Sequence, residues 1–144
     1  MADQPTSAIG YILRCSPDKS DTGSKTAIAT QRICTYCQFN GITLVDMLVD
    51  DGMVERRLDE RPTLRAALSA LAAGRADALI VLSLPSLSRS ICELAPWLAE
   101  HFGEGSRHAL IAVHERIDTR KATGRQALGV LSALSLFAPE GRHA

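Results

Sequence analysis

Three clusters of polar side chains in this sequence carry residue types able to do chemistry together. They are Arg14 with Ser16, the arginines from Arg56 to Arg61, and Ser86 to Arg89. A serine hydroxyl among guanidinium groups suits attack on phosphate. Guanidinium pairs phosphate oxygens with two parallel hydrogen bonds and offsets the charge that builds in the transition state. Taken singly, each of these residues reads more readily as a solvated surface arginine or a turn serine, types that populate loops freely. Their position gives them joint weight, because each cluster follows the end of an expected strand.

Those strands have to place the clusters. Leu79-Ile80-Val81-Leu82 is an unbroken apolar run, bounded by Gly74-Arg75-Ala76-Asp77 before it and Pro85 after it. This is the pattern of a strand buried on both faces, and Pro85 comes too early for a helix. It is therefore expected to be the central parallel strand. The polar stretch Ser83–Ser90 behind it becomes a candidate site loop, since ligands in open α/β sheets bind beyond the carboxyl ends of the strands. A bland polar connection is the competing interpretation of the same residues.

In chain order, Ala8–Leu13 is a first strand running into Arg14-Cys15-Ser16, and Pro17–Ser24 is a polar loop. A helix is expected from about Lys25 to Asn40, stopped by Gly41. Ile42–Val49 is a second strand, ended by Asp50-Asp51-Gly52, and Met53–Glu60 is charged and irregular. Arg61-Pro62 opens a helix in which Leu64, Ala67, Leu68 and Leu71 recur at helical spacing, with Gly74 closing it. Ser90 can cap the next helix, through Leu94 and Leu98 to about Phe102, with a kink or early break expected at Pro96. His108–His114 is a fourth strand, Glu115–Thr123 a charged loop, and Thr123 begins a last helix that is apolar on nearly every side. Such a helix must be buried or meet a partner. The alternation predicts one α/β domain, a doubly wound and mostly parallel sheet with helices on both faces. It spans 8–138, between a loose N-terminus (1–7) and a tail (139–144).

Composition narrows the function classes. The 144 residues fit one domain with a real core. Sixteen basic and sixteen acidic residues cancel, so phosphate contacts would have to come from a local cluster. No apolar run approaches the roughly 18 residues of a membrane span, and Met1–Pro5 is no signal peptide, so the expected location is cytoplasmic. Cys15, Cys34, Cys37 and Cys92 are then expected to be reduced. Cys34-Thr35-Tyr36-Cys37 fits C-x-x-C, but it falls within a probable helix and lacks a second ligand pair nearby. Core thiols are favoured over a metal or redox site.

The arrangement resembles the N-terminal catalytic domain of the serine recombinases, the resolvase/invertase family, over roughly Ala8 to Phe137. Arg14-Cys15-Ser16 is similar to the family's Arg-x-Ser, and Gln31 to a glutamine of the first helix near that serine. Arg61-Pro62-x-Leu64 resembles the segment that supplies an active-site arginine. Leu84–Arg89 stands in the place of the family's Leu-Asp-Arg-Leu-x-Arg loop. Ile117-Asp118-Thr119 and Thr123-Gly124-Arg125 resemble the approach to the long dimerisation helix.

The resemblance implies site-specific DNA recombination or integration without metal or nucleotide cofactor. Ser16 would be the nucleophile, leaving a 5′-phosphoserine link and a free 3′-hydroxyl. Arg14, Arg61 and Arg89 would be phosphate ligands and Gln31 a supporting polar group. It also implies DNA as partner and self-association through the C-terminal helix.

This chain departs from the pattern in three ways. The loop's Asp-Arg pair is Pro85-Ser86 here, which predicts a weakened or inactive site, or a non-catalytic binding or dimerisation module on the same fold. Tyr11 stands one residue further from Arg14 than in the family's Tyr-x-Arg, which turns it to the other face of the strand. The sequence also stops at Ala144, before the place where family members carry an arm and a DNA-binding domain.

Overall fold

The computed structural model describes residues 6–14, 19–51 and 57–137, the side chains of 19–24 excepted. Nine main elements follow one another in it. They are β1 (Thr6–Arg14), α1 (Lys19–Phe39), β2 (Ile42–Asp51), α2 (Pro62–Ala72), β3 (Ala78–Val81), α3 (Ile91–Phe102), β4 (Ala109–Ala112), β5 (Ile117–Asp118) and α4 (Ala122–Ser135). Short 3₁₀ turns at Leu58–Glu60 and Leu84–Ser86 precede α2 and α3.

The strands form one sheet in the order β2-β1-β3-β4-β5. β1, β2, β3 and β4 pair in parallel and β5 joins β4 antiparallel. The expected doubly wound, mostly parallel α/β sheet is the architecture observed, and the run read as central, Leu79–Leu82, falls on β3, whose residues Ala78–Val81 are wholly buried between β1 and β4 while Leu82 follows half-buried. Strand alternation divides the core in two. Ile9, Tyr11, Leu79, Val81, Leu110 and Ala112 face α2, α3 and α4. Ala8, Ile12, Ala78, Ile80, Ala109 and Ile111 face α1. Tyr11 thus lies on the α2 side of β1, beside Ile9.

Several boundaries differ from expectation. β1 starts at Thr6, inside the stretch read as loose, and α1 starts at Lys19 rather than near Lys25. Helix α3 does not break at Pro96. An interior proline costs about 3 kcal/mol. Trp97, Leu98 and Phe102 beyond it are buried, and each such side chain contributes about 1.5–3 kcal/mol, so packing carries the helix through. Ser90 caps it as expected, accepting from the Glu93 amide at 3.4 Å.

The charged loop after β4 contains a strand, β5, reached by a tight turn in which Arg116 adopts φ 59°. Glycine or asparagine usually signals that conformation, so the hairpin has no sequence mark. It is held instead by Arg120, whose Nε and Nη2 grip Asp118 at 2.9 and 2.6 Å while Nη1 reaches Thr6 Oγ1 at 2.8 Å. Thr123-Gly124-Arg125 then has a mechanical reason. A Cβ on Gly124 would run into the Asp118 carbonyl oxygen, and Arg125 Nη1 bonds the carbonyls of Thr119 and Arg120.

Cys37, on the core-facing side of α1, is 3% exposed, whereas Cys34 is only partly buried. Burial pushes the Cys37 thiol above its ordinary pKa, aided by the neighbouring Cys34, which leaves it less thiolate to react. Iodoacetamide at pH 8 should alkylate Cys34 at least about tenfold faster than Cys37 in the folded protein. Peptide mass spectrometry reads this, and equal rates would contradict the packing. Among the described residues no helix is long and apolar enough to cross a membrane.

Candidate active site

The carboxyl ends of β1, β2 and β3 bring the sequence-distant clusters to one edge. Arg14 ends β1 and pairs in register with Asp51 of β2. Its Nε lies 2.6 Å from Asp51 Oδ1, and the guanidinium holds that carboxyl below its usual range. Both side chains are well exposed, so this pair orients Arg14 more than it stabilises the fold.

Behind the edge sits a buried polar network whose full extent sequence patterning missed. Asp50 is 4% exposed on the α2 side of β2. Its Oδ1 accepts from the Thr63 amide at 3.2 Å, and its Oδ2 from the Leu64 amide at 3.1 Å and the Tyr11 hydroxyl at 2.9 Å. Asp50 is thus the cap that α2 lacks locally, because Arg61 occupies the N-cap position without a side-chain bond to the helix start. The adjacent acids Asp50-Asp51 at a strand end were the available signal, since alternation sends one in and one out. Burial first, then Asp50, raises the Tyr11 pKa far above that of a free phenol, and Arg61 opposes the shift.

Arg61 is 1% exposed, the largest fully buried side chain described. Its Nη1 lies 3.5 Å from the Ser86 carbonyl, and it also hydrogen-bonds Tyr11. It therefore ties the segment before α2 to the loop after β3. Two further acids hold these segments. Glu93 Oε2 accepts from the Leu58 amide at 2.8 Å while its Oε1 accepts from Ser88 Oγ at 2.9 Å. Glu115 receives the Leu84 amide on both carboxylate oxygens, at 3.2 and 3.1 Å.

The loop after β3 is regular around Pro85. Leu84–Ser86 is an ordered 3₁₀ turn with proline in its first two positions, where an amide has no partner within the turn. Pro85 fits this backbone, so what remains of the departure is chemical. Ser86 Oγ bonds back to the Ser83 carbonyl and brings no cation to the edge. Arg89 follows, exposed, just before α3.

Of the predicted residues, Arg14, Arg61 and Arg89 lie at the carboxyl edge, and Ser16 lies outside the described residues. Arg61 alone is engaged with the candidate loop. Gln31 is exposed midway along α1, facing a groove beside Leu82 and His114 rather than the Arg61 network.

The chain is thus a five-stranded, mostly parallel α/β sheet with arginines following the carboxyl ends of its strands. Residues 8–142 match the Resolvase, N terminal domain family, and the chain belongs to it. Among solved structures, the N-terminal catalytic domain of TP901-1 integrase is similar at 25% identity and TM-score 0.76, over 91% of this chain and 95% of that one. A resolvase family site-specific recombinase from Streptococcus pneumoniae has 17% identity and TM-score 0.70, over 92% and 87% of the two chains. The C-terminal catalytic domain of ISC1926 TnpA, an IS607-like serine recombinase, gives 17% and 0.55 over 91% and 82%. No curated protein sequence matches the chain.

Proposed function

We propose that this chain is a serine recombinase catalytic domain that cleaves and rejoins DNA slowly. Ser16 Oγ attacks a phosphodiester, an O–P bond forms to the serine, and the P–O3′ bond breaks. This leaves a 5′-phosphoserine link and a free 3′-hydroxyl, and the reverse attack reseals the strand. Arg14, Arg61 and Arg89 stabilise the charge on the phosphoryl oxygens, and Gln31, which faces the groove beside Leu82 and His114, is left out of this set. The carrying observation is Arg61, a cation removed from water at the carboxyl edge and tied to the loop after β3. Poorly solvated charge acts strongly on charge that develops nearby.

The test uses a pool of nicked duplexes of randomised sequence and denaturing gels. A slow covalent adduct is expected, and Ser16→Ala should remove it; an adduct that survives the substitution would overturn the assignment of Ser16. The inward-turned Ser86 favours a second reading, a binding module without catalysis. Absence of adduct from both this chain and a Pro85→Asp, Ser86→Arg variant would support that one.

Self-association belongs to the same proposal. On α4 and just past it, Val130, Leu134, Leu136 and Phe137 are 51–84% exposed. Leu131 is instead half-buried against the core and would test packing as much as association. Val130→Glu with Leu134→Glu should convert an oligomer to a folded monomer in sedimentation at micromolar concentration, because two charges in an apolar interface oppose closure. An unmutated protein that sediments as a monomer would remove this part of the proposal.

A further inference from the structure

The two faces of the sheet are covered unequally. Three helices, α2, α3 and α4, pack on one face, and α1 alone packs on the other among the described residues. Helix α1 lies over β1 and β2. On its far side, against the carboxyl ends of β3 and β4, runs an open groove of about 560 Å³. Its floor includes Leu82 and Val113, which continue the α1-facing side of their strands. One wall is α1 itself, where Ile28, Arg32, Thr35 and Phe39 recur at helical spacing along about 16 Å of helix. Ile28 is 50% and Phe39 84% exposed, a cost in water that a covering partner would remove. Arg32 and His114 stand on the rim, and none of the described lining residues is Asp or Glu.

We propose that this groove docks an amphipathic helix of a partner protein, one that carries carboxylates beside its apolar stripe. A helix laid along α1 would complete the second layer that a doubly wound sheet ordinarily has. Its apolar residues at i, i+4 and i+7 would meet Ile28, Phe39 and the Leu82–Val113 floor, and its acids would meet Arg32 and His114. A second copy of this chain fits poorly through its exposed helix, because Ala122–Ser135 holds Arg125 and no acidic residue. DNA would meet a wall in which Arg32 is the only permanent cation among the described lining residues. This docking stands apart from strand cleavage and does not need a reactive Ser16.

The probe is a set of fluorescein-labelled 15-residue helical peptides with leucine at i, i+4, i+7 and i+11 and flanking glutamates. Matched peptides carry lysine instead, and a labelled duplex serves for DNA. Anisotropy titrations use the full chain and its Ser16→Ala variant, so the outcome is independent of adduct formation. Micromolar binding of the acidic peptides alone is expected. Ile28→Ser with Phe39→Ser should weaken it about 10- to 100-fold, from the apolar area lost, with thermal unfolding unchanged because both side chains are exposed. Arg32→Glu should shift preference toward the lysine peptides. Equal binding of both peptide sets, binding indifferent to Ile28 and Phe39, no acidic-peptide binding at millimolar concentration, or binding of the duplex alone would each overturn the proposal.

Discussion

Pro85→Asp with Ser86→Arg should raise covalent adduct formation on nicked duplexes by about 10²–10³, the usual worth of one preorganised group at a developing phosphoryl charge. The argument rests on how the loop is held. Leu84 is clamped by Glu115, Ser88 is clamped by Glu93, and the Ser86 carbonyl is near Arg61. A side chain at position 86 is therefore carried on a backbone that is already fixed at both ends. Ser86 spends its hydroxyl on the Ser83 carbonyl, whereas arginine at 86 is long enough to leave that turn. The proline accounts for little by itself, because its missing amide had no partner in the turn. Ser86→Arg alone should thus recover most of the gain, and Pro85→Asp alone little of it. Burst amplitudes and rates from quenched-flow gels separate the two. An unchanged rate in all three variants, with Ser16→Ala removing what adduct there is, would place the slow step elsewhere.

Asp50→Ala should destabilise the fold by about 3–5 kcal/mol, the range for removing one member of a buried charged network. One carboxylate serves the Tyr11 hydroxyl and the amides of Thr63 and Leu64, and truncation strands all three beside the buried Arg61. Asp50→Asn keeps an acceptor but loses the charge that strengthens the bonds from the Tyr11 hydroxyl and the two amides, so its cost should fall between alanine and none. Tyr11→Phe should cost least, about 1–2 kcal/mol, since it removes the hydroxyl's bonds to Asp50 and Arg61 and leaves the helix start capped. Urea unfolding with a constant m-value gives these differences. A loss under about 1 kcal/mol for Asp50→Ala would show that the amides find other partners.

Much of the frame was legible in the residues because the physical signals there are local. The apolar run at Leu79–Leu82, the Pro62 start of α2 and the Ser90 cap each mark an element without help from the rest of the chain. Hairpin β4–β5 was hidden because its turn places Arg116 at positive φ without the usual glycine, and long-range bonds from Arg120 compensate. The Pro96 break failed for the converse reason, since a strong local rule lost to burial of Trp97 and Phe102.

The sequence by itself determined the strand-and-helix alternation, the family, and the placement of Arg14, Arg61 and Arg89 after strand ends. Periodicity, caps and motif spacing are properties of neighbouring residues. Only the tertiary structure decided which of two adjacent acids goes inward to cap α2 and hold Tyr11 and which goes outward to Arg14. Tertiary structure also decided that Arg61 is buried and that the proline loop keeps a regular turn. Those outcomes depend on which faces three separate strands present to one helix, and pairing across the sheet sets that at separations no local pattern records.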